Sequence, residues 1–193
     1  MRAISERLEE LKSALQREEL LSNKGLGNEV GFFVFDYLPI DELIVRENIP
    51  LIRNYIEKSN PSISIQIFDL YDIIIEFFES KNYMQKNYQI EETKGTEFLF
   101  QKMQQALRIA TNQDWIAKYI SEHWDQESMI FLTGVGKAYP LVRSHVLLNN
   151  LQMIVETKPL ILFYPGTYED GQLHLFSEFL DDHYYRAFRI IEP

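Results

Sequence analysis

Apolar positions fall into two rhythms along this chain: stretches in which they return every three or four residues, and short unbroken runs. The first rhythm opens the chain. Ile4, Leu8, Leu11 and Leu15 are separated by Glu6, Glu9, Glu10 and Lys12, which predicts an amphipathic helix within residues 1–24 carrying one narrow apolar seam. The seam docks on the chain's own core or against a partner, and spacing alone does not separate the two. Asn23-Lys24-Gly25-Leu26-Gly27-Asn28 then reads as a flexible loop.

The second rhythm marks strands. Gly31 to Phe35, Ile63 to Phe68, Met129 to Leu132 and Leu160 to Tyr164 are continuous apolar runs rich in β-forming residues, as expected of strands covered on both faces. Helical patterns lie between them. Leu51, Ile52, Tyr55 and Ile56 share a face with Pro50 near the helix start, and Asp69 is placed to cap a helix running through Ile73 to Phe78. Thr96 caps a helix carrying Leu99, Met103 and Leu107, and another begins near Asn112 with Trp115, Ile116, Tyr119 and Ile120. Thr133 to Pro140 reads as a turn in which Gly134 and Gly136 supply positive φ, followed by a helix from Leu141 to Val155.

Strands alternating with helices predict an α/β fold with a mostly parallel sheet and helices on both faces. The end of the chain breaks the pattern. Pro165-Gly166 and Asp170-Gly171 are turn signals, Leu173-His174-Leu175 alternates as a hairpin strand, and Tyr184 to Ile191 is expected as a final edge strand. No linker or repeat divides residues 1–193, so a single domain is expected.

Composition narrows the function classes. Apolar residues make up 46% of the chain and aromatics 13%, enough for a filled core. A net charge of -10 disfavours broad contact with phosphate backbones or anionic membranes, and only Arg143, Arg186 and Arg189 are candidates for a local basic patch. The chain has no cysteine, which excludes disulfides, thiolate metal sites and cysteine nucleophiles. With no signal-like start and no apolar run of membrane-spanning length, a soluble cytoplasmic protein is expected.

Gly134-Val135-Gly136-Lys137 is the sharpest motif, because a glycine-rich turn between strand and helix is where backbone amides and a lysine cradle phosphate. It fits neither known pattern. The Walker spacing is absent, Ala138 stands where a magnesium-binding hydroxyl is required, and Tyr139 breaks the dinucleotide fingerprint. Gly134, Gly136 and Lys137 therefore stand as an alternative nucleotide site only. His123, His145, His174 and His183 form no metal-binding pair, and no nucleophile–base motif is present, so no catalytic residue, cofactor or metal is assigned.

Aromatic and arginine residues crowd the end of the chain, and these types dominate interface energetics. Arg143, Tyr184, Tyr185 and Arg186 are the candidate protein-binding residues. Arg143 and Arg186 are also candidates to pair with Asp36 or Asp69 at strand ends.

Several of these segments carry a family resemblance. Phe131 to His145, Leu151, Leu162 to Tyr168, Leu175-Phe176 and Tyr184 to Arg189, with the earlier Phe35 to Pro39 and Val45-Arg46, resemble the BrxB family of bacterial BREX phage-defence systems. The resemblance spans nearly the whole chain. It implies a non-catalytic adaptor or assembly component that binds PglZ, an alkaline-phosphatase-superfamily protein, and operates with the other BREX subunits. A degenerate nucleotide-binding regulator using Thr133 to Lys137 is the alternative.

Overall fold

The apolar runs become strands of one sheet, and their alternate residues feed two cores. A computed structural model of the protein describes residues 2–21, 31–109, 111, 113–152, 154–155, 157–181 and 187–193, the side chains of 144, 145, 180 and 181 excepted. The strands are β1 (Phe32–Tyr37), β2 (Ile65–Asp69), β3 (Met129–Thr133) and β4 (Leu160–Glu169), followed by the short β5 (Gln172–Leu175), β6 (Phe179–Asp181) and β7 (Phe188–Arg189). They lie in the order β2-β3-β4-β1-β7, every neighbouring pair parallel. The expected α/β architecture is the observed one, with β7 at the predicted edge.

Side-chain alternation explains the two cores. Phe35, Met129, Phe131, Ile161 and Phe163 face one side, where they meet α1 (Ile4–Ala14) and α3 (Glu42–Ser59). The predicted amphipathic segment is divided, since α2 (Glu18–Leu21) follows α1 as a separate turn. Its seam is internal: Leu8, Leu11 and Leu15 are buried in the core that they share with α3, each contributing roughly 1.5–3 kcal/mol. The loop predicted at 23–28 lies outside the described residues.

Phe32, Val34, Ile130, Leu132, Leu160 and Leu162 face the opposite side. There they meet α4 (Leu70–Ser80), α6 (Thr96–Leu107), α7 (Trp115–His123), α8 (Val135–Ala138) and α9 (Ser144–Gln152), while α5 (Met84–Lys94) packs on α6 and touches this core through Met84 but buries no residue fully. Asp69 caps α4 as its sequence position suggested, accepting the amides of Tyr71 and Asp72.

Several boundaries differ from the expectation. A 3-10 turn at Pro39–Asp41 leads into α3, which begins well before Pro50. Its buried stripe is Val45, Ile49, Ile52 and Ile56, so Ile52 and Ile56 of the expected face turn inward while Leu51 and Tyr55 point outward. Pro50, inside the helix, is exposed and lines a crevice at the strand ends. Gly95 rather than Thr96 precedes α6, and Asp114 caps α7. Gly134 has the positive φ, +76°, but Gly136 lies within α8 without one; its missing side chain leaves room instead for Phe176 and Pro165, 3.1 Å from where a Cβ would stand.

Pro165-Gly166 is not a turn. β4 runs straight through it, pairing with β1 and β3 in its first half and antiparallel with β5 in its second. Gly166 is needed there because a Cβ would stand 2.1 Å from the His174 carbonyl. Asp170-Gly171, with φ of 50° and 78°, makes the predicted two-residue hairpin turn. The next turn, from β5 into β6, places Phe176 and Ser177 at φ of 55° and 60° with no glycine to relieve the strain. No helix among the described residues is long and apolar enough to cross a membrane.

Candidate functional site

The carboxyl ends of β1, β2 and β3 open onto a crevice of about 300 Å³. α3 departs from β1 toward one face of the sheet, whereas α4 and α8 depart from β2 and β3 toward the other. Diverging connections of this kind form the crevice in which open α/β sheets take ligands. Its wall carries Glu42, Arg46, Asp69, Asp72 and Lys137, with Tyr37 and Thr133 at the floor.

Asp69 organises this end of the sheet. One carboxylate oxygen accepts the Tyr71 and Asp72 amides at 3.0 and 3.2 Å; the other accepts the Thr133 hydroxyl at 3.2 Å and the Lys137 amine at 2.9 Å. Gly134 packs directly on it, and a Cβ there would lie 2.3 Å from the carboxylate. Lys137 also stands over the Tyr71 ring and 3.8 Å from Asp72. At the far side Tyr37 donates to Glu42 at 2.7 Å, and burial, followed by the Glu42 carboxylate, pushes the phenol above its ordinary range so that it stays protonated. Asp69 thus engages the Lys137 amine beside the glycine turn, and the crevice as a whole presents mixed charge.

A second ionic centre ties the chain together. Asp36, 3% exposed, receives Arg7 at 3.1 Å on one oxygen, and Arg189 and the Tyr168 amide at 2.9 and 3.0 Å on the other. Arg7 also donates to the carbonyls of Asp36, Ile191 and Glu192, and its guanidinium lies over Phe35. Arg189 completes the ring by donating to the Tyr168 carbonyl. None of Arg7, Asp36, Tyr168 and Arg189 lines the crevice at the strand ends.

A third feature is aromatic. Tyr139, in the cis Tyr139–Pro140 peptide after α8, stacks on Phe179 at 5.3 Å and meets Phe176 edge-on at 6.0 Å. The strained β5–β6 turn holds these rings, and Phe179 is 46% exposed. An open groove of about 1010 Å³ also runs along α7 and α9, but far from the strand ends and with mixed polar walls.

Of the residues singled out in the sequence, Gly134 and Lys137 meet at the crevice, Gly136 faces Phe176, and Arg143 is exposed beyond α8. Tyr184, Tyr185 and Arg186 lie outside the described residues. The suggested pairing of Arg143 with strand-end carboxylates does not form: Asp36 takes Arg7 and Arg189, and Asp69 takes Lys137. Arg7 escaped notice because it alternates with glutamates on a helix, which reads as a solvated face. Tyr37 and Glu42 escaped it because no motif marks them. Among the described residues no group of three His, Asp or Glu side chains is placed to hold a metal ion.

No solved structure matches the chain. Two curated relatives do: the BREX protein BrxB of Bacillus cereus (strain H3081.97), 44% identical over 192 residues and the full length of both chains, and the BREX protein BrxB of Escherichia coli O9:H4 (strain HS), 35% identical over 187 residues, 96% of this chain and 90% of the relative. The family model for BREX protein BrxB matches residues 66–190, from β2 through the Asp69 centre and the aromatic hairpin to β7. The chain therefore belongs to the BrxB family, and its role lies in the BREX defence system.

Proposed function

We propose that this chain is a non-catalytic adaptor that docks other BREX subunits, PglZ first among them, through the face formed by the end of α8 and the β5–β6 hairpin. The observation that supports this reading is the exposed ring of Phe179 stacked on Tyr139, carried by a turn in which two residues other than glycine adopt the left-handed region. Strain of that kind persists where the surrounding structure over-determines it, and it concentrates at recognition sites. Arg143, four residues beyond Tyr139, and Tyr184, Tyr185 and Arg186, which follow β6, complete the proposed set. Aromatic and arginine side chains anchor interfaces because they bury large area and still satisfy polar tips.

Co-purification tests the proposal. Tagged wild-type chain recovers PglZ from cells expressing both, and Phe179→Asp or Arg143→Ala lowers recovery while the melting temperature stays within the range of a surface change. Failure of the wild-type chain to recover PglZ at matched expression sinks the adaptor reading.

The crevice supports a second reading, a regulator that binds a nucleotide at Thr133 to Lys137. That reading requires the Lys137 amine to leave Asp69 when the phosphate arrives. Calorimetry with ATP, GTP and cyclic nucleotides separates the two, because the adaptor reading expects no heat.

A further inference from the structure

The buried stripe of α3 accounts for only half of its apolar residues. On the adjacent stripe, one residue round the helix, Ile40, in the preceding turn, then Ile44, Leu51 and Tyr55, with Leu43 to one side, are exposed by between 44% and 85%, Tyr55 beneath the Lys12 amine of α1. Helical spacing sets Ile44, Leu51 and Tyr55 in one line, and Ile40 extends it by a turn. Exposed apolar side chains that are contiguous rather than scattered mark an interaction surface.

Charge identifies the cover. The protein carries a net charge of -10, which opposes contact between copies over most of the surface. α3 is an exception: its Glu42, Glu47 and Glu57 are balanced by Arg46, Arg53 and Lys58, so the helix adds no net charge of its own. The charges are also ordered along the axis. Asp41 and Glu42 open the helix and Lys58 closes it.

We propose that α3 is a self-association face on which two copies of this chain pair as antiparallel helices. A two-fold axis level with Ile49 and Pro50 sets Ile44 against Tyr55 of the second copy and Asp41 against its Lys58. The same patch then serves both copies, as a closed two-fold contact requires. Parallel pairing brings the acidic ends together and is disfavoured. The helix, roughly 27 Å long, offers a contact of useful length. This inference rests on the exposed stripe of α3 and uses no residue of the hairpin face.

Analytical ultracentrifugation over a concentration series tests it. The wild-type chain shows a monomer–dimer equilibrium, and Leu51→Asp raises the dissociation constant by roughly thirtyfold or more, as expected for a central contact residue. Leu51 faces solvent in the single copy, so the circular dichroism spectrum of the variant is unchanged. Asp41→Lys and Lys58→Asp each weaken the dimer several-fold, and the two together restore it. A wild-type chain that is monomeric at every concentration overturns the proposal, as does a Leu51→Asp dimer as tight as wild type. Loss of BREX-subunit recovery by Leu51→Asp with no change in self-association also overturns it, and assigns the face to a different protein.

Discussion

Asp36 and Asp69 occupy equivalent places, each at or near the carboxyl end of a parallel strand, yet they are used in different ways. Asp36 is sealed, and its partners come from residues 7, 168 and 189, so one carboxylate joins the first helix, the base of the hairpin and the edge strand. Asp69 is half-open to the crevice, and two of its four donors are the amides of the helix that it begins. The first is a knot between distant parts of the chain; the second is a local cap that also pins the loop before α8. Burial and sequence separation, rather than residue type, decide which carboxylate holds the fold and which one shapes a site.

Breaking the knot has the largest expected effect. Asp36→Ala leaves the fully buried Arg7 guanidinium without its counter-charge and Arg189 with only the exposed Glu192, and lowers unfolding free energy by about 3–5 kcal/mol in a denaturant titration. At Asp69 the expected loss on substitution with alanine is about 1–2 kcal/mol, that of a helix cap. Gly134 sharpens this. Gly134→Ala alone costs about 1–3 kcal/mol, since the new Cβ meets the carboxylate and φ is left-handed; combined with Asp69→Ala the clash disappears, and the double mutant is more stable than the two losses added together. Lys137→Met costs only about 0–1 kcal/mol, because the ion pair is partly exposed.

A third carboxylate gives the smallest effect. Burial pushes Asp125 upward, but bonds from the Ser128 hydroxyl and amide and the Glu127 amide, with Lys158 nearby, outweigh it and hold the acid below its ordinary value. Its contribution is therefore complete above about pH 4 and fades as pH falls through the lower folded value. Asp125→Asn flattens the acid limb of the stability curve slightly and leaves neutral pH nearly unchanged.

The strands were legible because residues such as Phe131 and Leu132 are buried on opposite faces of one sheet, which leaves no polar position between them. Asp69 was legible as a cap because the helix that it begins is local. Asp36 with Arg7 and Arg189 was not, since contacts across 29 and 153 residues leave no trace in spacing. α5 was hidden for the opposite reason: it buries no residue fully, so no apolar rhythm announces it. The expected face of α3 was half right, with Ile52 and Ile56 inside and Leu51 and Tyr55 outside, because apolar residues fill two adjacent stripes and periodicity does not say which of them turns inward. That ambiguity is the same feature from which self-association is inferred.

β4 passes from the parallel sheet into the hairpin without a joint. A load placed on Phe179 passes through the β5–β6 and β4–β5 ladders into β4, and so reaches the middle of the scaffold, between β3 and β1. Whatever grips that hairpin is tied by its backbone hydrogen bonds to the keel of the sheet.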